Sequence, residues 1–397
     1  MSEWREYRLD EIGQVVGGGT PSSKVNAYWN GDVGWVTPAD LSGYQFKHIG
    51  NGSRDITELG LKKSSAKLHP KNTVLMTSRA PIGYLAIADK PVATNQGFQS
   101  IRCNEDIADF NFIYYLLGAY KEGIALIASG ATFPEVSGGK VRQYKIKLPP
   151  LPTQQKIAKI LSNYDDLIEN NLKRIKLLEE SARLIYEEWF LRFRIDGKKL
   201  EIDPESSLPF GWELVELGDF LKFKKGKKAD EIFEEKKDNL IKLLLLSGLG
   251  SGEYAYVEKA RHVIARRGDV LMTMDGARSS VVFYSEDGAV GSTMSLVETG
   301  KLPKSYLYHF FKSTYEWLEI NNTGAAIPHA NKSFINKMKI IHPGDEILTK
   351  WSKKMYHIND QVFNLKDQNQ LLKEARDILL PRLMTGMIDT DELDIAV

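Results

Sequence analysis

From Ile157 onward, apolar positions recur in alternating steps of four and three: Leu161, Tyr164, Ile168, Ile175, Leu178, Ala182, Ile185 and Trp189, with Asn171 as the one strongly polar member. Charged residues occupy the positions between them, and no Gly or Pro interrupts the run before Gly197. A seam at heptad spacing sustained over more than four heptads predicts a long helix with a coiled-coil face, and Thr153, just after Pro149-Pro150-Leu151-Pro152, is its expected N-cap. Moving 194 positions along reproduces the seam as Trp351, Met355, Ile358, Val362, Leu365, Asn369, Leu372, Arg376, Leu379 and Leu383. Here Asn369 and Arg376 are the polar exceptions, and Pro381 is expected to end or kink the helix.

The polar exceptions decide how two such helices would pair. In a parallel pair, Asn171 would face Leu365 and Asn369 would face Ile175, leaving two buried amides unpaired at about 1–3 kcal/mol each. In an antiparallel pair with full overlap, Asn171 meets Asn369 and Tyr164 faces Arg376. The expectation is an antiparallel intramolecular coiled coil whose register is set by the asparagines; the alternative is two amphipathic helices, each packed on its own domain. Ile157 to Trp189 would span roughly 50 Å. Such a pair would hold two domains apart, at opposite ends, about an approximate two-fold axis.

The 194-residue offset extends beyond the helices. Leu177-Leu178-Glu179-Glu180 matches Leu371-Leu372-Lys373-Glu374, Gly130-Ala131-Thr132 matches Gly324-Ala325-Ala326, and Tyr144-Lys145-Ile146 matches Met338-Lys339-Ile340. Further forward the offset drifts: Val74 to Thr77 matches Val270 to Thr273, and Leu9 to Gly13 matches Leu214 to Gly218. Insertions therefore sit in the front of each copy while the back is held in register. The expected organisation is a variable module over 1–150, a long helix over 151–195, a second variable module over 196–342, a second helix over 343–388, and an acidic tail over 389–397 carrying Asp389, Asp391, Glu392 and Asp394.

Within the first module, strand-like runs at Gly34 to Thr37, Thr73 to Ser78, Tyr84 to Ala88 and Phe98 to Arg102 alternate with polar loops, an α+β pattern. Arg pairs bidentately with guanine, and Asn or Gln with adenine, so loops bearing these residues are candidate base readers. They supply Ser22, Lys24, Thr77, Ser78, Arg79, Asn95, Gln96 and Lys140. The second module supplies Lys224, Lys225 and Lys227 from the run Lys222 to Lys228 as phosphate-binding candidates, then Arg278 and Ser279, and His329, Asn331 and Lys332. Isolated polar loops and solvated lysine runs are common, so none of these is specific alone.

Composition narrows the class. The 397 residues are 42% hydrophobic and 26% charged, enough for about two to four globular domains. A formal net charge of +1 excludes a global field for nucleic acid and leaves only local charge segregation. One cysteine, Cys103, excludes intramolecular disulfides and four-cysteine zinc sites, and the seven histidines show no ligand spacing, so no metal is expected. The N-terminus has no apolar signal segment, and Phe112 to Tyr120 is too short to span a membrane; a cytoplasmic protein is expected. Gly17-Gly18-Gly19 leads into Thr20-Pro21 rather than a helix, and the glycines Gly248, Gly250 and Gly252 are expected to run on into strand, so neither is a cofactor loop. The only Pro-Pro follows Leu148, so the motif of an adenine methyltransferase is absent. These readings describe a binding and assembly protein rather than an enzyme.

The combination of Leu75-Met76-Thr77-Ser78-Arg79-Ala80-Pro81-Ile82-Gly83, Asn95-Gln96-Gly97, the stretch Lys145 to Ile157 and Leu208-Pro209-Phe210-Gly211-Trp212 resembles the specificity subunits of type I restriction-modification systems over nearly the whole chain. The resemblance implies two pseudo-two-fold-related α/β target recognition domains separated by an antiparallel coiled coil. It also implies a bipartite double-stranded DNA target with one half-site per domain, two modification (methyltransferase) subunits recruited by the helices, and restriction subunits completing the complex. Catalysis and S-adenosylmethionine would then belong to the partners, with no cofactor in this chain. Apolar helix positions off the seam, Ile160, Leu167, Leu172 and Leu184, are candidate methyltransferase contacts. The second copy departs from the pattern, with Met274 to Arg278 where the first has Ser78 to Ile82 and Gly291-Ser292 where it has Asn95-Gln96, so the half-sites should differ. The rival readings are a methyltransferase fused to its own recognition domains and a coiled-coil adaptor without DNA affinity.

Overall fold

A computed structural model of the chain describes residues 3–130, 132, 134–252 and 254–390. Ala131 of the repeated Gly-Ala-Thr and the acidic residues Asp391, Glu392 and Asp394 lie outside the described residues. The fold is α+β and forms two compact units, 1–172 with 367–397 and 173–366.

In the first unit a five-stranded sheet runs Gly13–Gly17, Gln99–Cys103, Val74–Ser78, Ile82–Ala88, His48–Ile49, and a three-stranded sheet runs Trp29–Val36, Val92–Thr94, Leu68–His69. Val74–Ser78 is buried along its length because it is central, with neighbours on both edges and packing on both faces. A two-stranded ribbon, Arg5–Arg8 against Lys145–Leu148, lies immediately ahead of the first long helix. In the second unit the corresponding central strand is Val270–Thr273, between Met294–Glu298 and Val282–Tyr284, with Lys222–Lys225 at the edge. The matching ribbon pairs Glu213–Glu216 with Lys339–His342. His48–Ile49, which adds a parallel edge strand to the first five-stranded sheet, has no counterpart in the four-stranded sheet of the second unit among the described residues.

The first long helix is α-helical over Leu151–Tyr186 and continues as one π-helical turn over Glu187–Leu191; the second runs over Asp345–Met384. Thr153 is not the N-cap. The helix begins two residues earlier, after Pro150, whose carbonyl accepts from Thr153 N and Gln154 N at 2.9 and 3.1 Å, so Thr153 sits in the first turn. Pro381 does not end the second helix at its own position, because it lies within the last turn, where only one intrahelical bond is lost.

Each unit contains an antiparallel pairing of the two helices. In the first, Asn171 Nδ2 donates to Asn369 Oδ1 at 2.9 Å and Asn369 Nδ2 donates to the Ile168 carbonyl at 3.3 Å; both asparagines are buried. In the second, Ile175, Val362 and Leu365 form a buried cluster with Leu178 against it, while Lys366 and Glu179 bridge the outside at 3.7 Å. Arg376, expected to face Tyr164, forms an ion pair with the residue next to that tyrosine. Arg376 Nη1 donates to Asp165 Oδ1 at 2.6 Å, and Tyr115 OH donates to the other carboxylate oxygen. A guanidinium this close to the core needs a counter-charge, and the carboxylate one residue beyond Tyr164 supplies it.

The helix starts and ends are welded to the unit cores. Ile157, Ala158, Leu161, Leu383 and Met384 pack with Leu9, Phe112, Leu116 and Ile146. In the second unit Tyr186, Trp189, Phe190, Tyr306 and Trp351 form a contiguous aromatic core, with Phe190 and Tyr306 ring centres 4.6 Å apart. Ile160 packs against the first core and is half-buried there.

If the amide pair sets register, Asn171→Leu alone should destabilise the protein by about 1–3 kcal/mol, because Asn369 then lacks its partner. Replacing both asparagines by Leu should recover most of that loss. Urea unfolding of the two variants checks this; equal stability of the single and double variants would refute it.

Candidate nucleic-acid interface

Four segments of the first unit meet beside the central strand Val74–Ser78. Gly19 N donates to Thr94 O at 2.8 Å, Ser78 N donates to Gly97 O at 2.7 Å, and Val136 N donates to Ser78 O at 3.0 Å. A glycine at position 18 is required, since a Cβ there would stand 2.0 Å from Asn95 O and 2.4 Å from Thr94 O. Thr20 Oγ1 donates to Gln96 Oε1, and Trp35 Nε1 donates to Gly19 O at 3.0 Å. Arg79 forms an antiparallel bridge with Glu135, and their side chains pair at 3.5 Å. Lys140 Nζ is turned back onto Ile127 O at 2.7 Å and Ser129 Oγ at 2.6 Å.

Arg79, Asn95, Gln96 and Lys140 are thus brought into one hydrogen-bonded loop cluster. Ser22 and Lys24 lie exposed on the segment continuing from Thr20. Two proposed readers are reassigned. Thr77 Oγ1 donates to Pro81 O and accepts from Tyr84 N, at 2.7 and 2.8 Å, so it shapes the turn, and Ser78 is fully buried. Half-buried Asn95 uses its side-chain carbonyl to accept from Gly97 N at 2.8 Å, which leaves its amide nitrogen as the donor.

The second unit repeats this cluster with different chemistry. Asp275 forms an antiparallel bridge with His329, and Thr323 does so as well, at the places where the first unit has Arg79 with Glu135 and Ser129 with Glu135. The polarity is reversed: the strand end carries a carboxylate in place of a guanidinium. Asp275 Oδ1 lies 2.8 Å from His329 Nδ1, and Lys225 Nζ lies 3.1 Å from Oδ2. Partial desolvation would raise the Asp275 carboxyl, but the hydrogen bonds from His329 and Lys225 outweigh it and hold the group below the ordinary carboxylate range.

Of the lysine run, Lys224 pairs with Glu298 at 2.6 Å, and Lys225 with Asp275, while Lys227 and Lys228 extend from the loop beyond the strand. That loop starts at Gly226, where a Cβ would meet Gly291 O at 2.2 Å. Arg278 and Lys332 are exposed, with the Lys332 ammonium 5.6 Å above the Phe223 ring. Ser279 and Asn331 are reassigned. The Ser279 hydroxyl is buried 2.7 Å from both Gly276 O and Pro328 O, either of which can take its one proton, and Asn331 caps the helix Lys332–Lys337 by accepting from Phe334 N at 3.0 Å. Gly248 and Gly250 lie in a helical turn, Leu246–Ser251, closed by Gly252 in the left-handed region, and the expected strand follows at Ala255–Glu258. Glu135, Thr20 and Ser129 were missed because acids and small hydroxyls carry no recognition signal alone; for Glu135 and Ser129, their match to His329 and Thr323 in the repeat was the available clue.

The model of the type I restriction modification DNA specificity domain matches residues 1–180 and 209–375. The chain belongs to the type I restriction-modification DNA specificity family. It is 32% identical over 418 residues to the type I restriction enzyme MjaIX specificity subunit of Methanocaldococcus jannaschii, covering 98% of this chain and 95% of the relative. Identity to the HindI specificity subunit of Haemophilus influenzae is 23%, covering 98% and 100%. The crystal structure of the type I system S subunit from M. genitalium shares the fold with a TM-score of 0.60 at 18% identity, covering 96% of each chain. The two family matches each include one loop cluster and most of one long helix, so in this specificity subunit the duplicated clusters and the duplicated helices belong to the same repeat.

His69 lies beneath the first cluster, its Nε2 3.3 Å from the hydroxyl of Thr94, and burial together with the Arg102 charge pushes it down to about 4. In the second unit burial, with Lys312 nearby, pushes His309 down to about 4 as well. In the unfolded chain both titrate near about 6.5, so between about 6.5 and 4 the unfolded state binds more protons. Their contribution is complete above about 6.5 and falls as pH drops through that window. Melting temperatures measured across it should fall less steeply for His69→Gln/His309→Gln than for the unaltered chain, and parallel slopes would refute the assignment.

Proposed function

We propose that this specificity subunit reads a bipartite double-stranded DNA target, one half-site per loop cluster, and that the length of the paired helices sets the gap between the half-sites. The observation that carries the reading is the pair of equivalent clusters built on the same strand end with reversed polarity. Arg79 is a bidentate donor suited to guanine, whereas Asp275 is an acceptor suited to the amino group of cytosine. Equivalent frames with opposite chemistry are what two different half-sites require. Exposed cations such as Lys24, Lys227, Lys228, Arg278 and Lys332 would hold the phosphates beside each half-site.

Further parts of the proposal concern the partners. This chain would be the non-catalytic member of a complex in which two methyltransferase subunits bring S-adenosylmethionine and restriction subunits bring cleavage. Leu167 and Leu184, about half exposed on the first long helix, and Leu177 and Leu371, about two-thirds exposed, would seat the methyltransferase subunits. Half-buried Leu172 would sit at the margin of that contact.

Selection from a random DNA pool, with a co-purified methyltransferase present, should enrich a split motif with a fixed gap. No enrichment would favour the adaptor alternative and overturn the reading. Lys227→Ala/Lys228→Ala should weaken binding to all sequences and lower the salt slope by up to about 2, whereas Arg79→Ala should relax one half-motif at a cost of about 1–3 kcal/mol. Removing seven residues from both helices should shorten the gap and leave both half-motifs intact.

A further inference from the structure

The internal repeat exposes a difference between the two units that is unrelated to their loops. In the first unit, the space between the recognition module and its helix pair is filled by side chains of the chain itself. Asp165 holds Arg376, Tyr115 donates to the same carboxylate, and Lys47, 5% exposed, donates to Ser162 Oγ at 2.9 Å with its ammonium 5.8 Å from the Tyr115 ring centre. The positions 194 residues away hold Asn359 for Asp165, Ala182 for Arg376 and His309 for Tyr115. The edge strand that follows Lys47 has no counterpart in the corresponding sheet of the second unit among the described residues.

The consequence in the second unit is a cavity of about 670 Å³ lined by Ala182, His309 and Asn359, with Leu177, Tyr284 and Tyr308. Its volume falls within the range of small-molecule sites. Tyr284 and Tyr308 stack in one wall with ring centres 4.0 Å apart. His309 is 6% exposed and its Nε2 has no hydrogen-bond partner, an unmet need at a site where the first unit satisfies its tyrosine hydroxyl. Around the mouth, Arg183 is occupied by Glu180 and Glu187, and Glu179 by Lys366. Lys176 and Lys312 are the exposed cations that remain to face a ligand.

We propose that this cavity binds a small planar aromatic anion. Its ring lies against the tyrosine pair, a polar atom meets His309 Nε2, and the anionic group is held by Lys176 and Lys312. In the first unit Arg376, Asp165, Tyr115 and Lys47 occupy the corresponding place. The cavity is separate from the DNA-reading loops, and its test does not involve DNA.

The test titrates the full chain with the aromatic sulfonate 1-anilinonaphthalene-8-sulfonate, following its fluorescence and, by calorimetry, the stoichiometry. One saturable site per chain is expected. Ala182→Arg/Asn359→Asp rebuilds the ion pair of the first unit inside the cavity and should weaken binding by at least about tenfold, as should the surface change Lys312→Glu. Thermal melting verifies that each variant is folded; if the first does not fold, the second decides. Absence of a saturable site, or equal affinity in the folded variants, would overturn the proposal and, in the latter case, assign the dye to the exposed helix leucines.

Discussion

Two amides on largely apolar helix seams have few ways to be buried without loss. A water molecule or a misplaced backbone carbonyl would answer one of them, but only the antiparallel arrangement answers both with each other, and the 2.9 Å bond between Asn171 and Asn369 is that solution. Ile157, Leu161 and Leu383 then fall into the core of the first unit, and Ile175, Val362 and Leu365 close against one another in the second. The same register puts Arg376 beside Asp165, and through Tyr115 it ties the recognition module to the helices. The seam provides the bulk of the stabilisation, since it removes the large apolar side chains from water, while the amide bond selects which of several apolar registers is used.

That division of labour explains how one repeat supports two different chemistries. The buried strands Val74–Ser78 and Val270–Thr273 are near copies because both are packed on two faces, where a change in volume costs stability. Arg79, the first residue past one strand, and Asp275, the second residue past the other, are only half-buried. Arg79 and Asp275 occupy equivalent bridges, Arg79 paired with Glu135 and Asp275 held by His329 and Lys225, so the polarity at this place can invert without disturbing the frame. The filled and open spaces beside the helices follow the same logic: a buried ion pair and the vacated place of one are alternative fillings of one scaffold.

The seam positions, the equivalence of the two copies and the strand-like runs were legible because each rests on periodicity, and periodicity survives in one dimension. The recognition loops were legible only in part. Arg79, Asn95, Gln96 and Lys140 fall into one cluster, yet Thr77, Ser78, Ser279 and Asn331, chemically indistinguishable from base readers, prove to be turn, core and cap residues. A hydroxyl or an amide serves backbone and base equally well, and which it meets depends on groups far away in sequence. The start of the first helix at Leu151 and the passage of the second through Pro381 show the same limit for termini, where one lost or gained hydrogen bond moves a boundary.

The sequence by itself therefore determined the α+β class, the repeat and the antiparallel sense of the helices, because these follow from apolar spacing and the cost of unpaired amides. Tertiary structure alone decided the partner of Arg376, the pairing of Arg79 with Glu135 and of Asp275 with His329, and the cavity beside His309. Each depends on side chains tens to hundreds of positions apart competing for the same charge or the same space, and that competition is resolved only once the chain has folded.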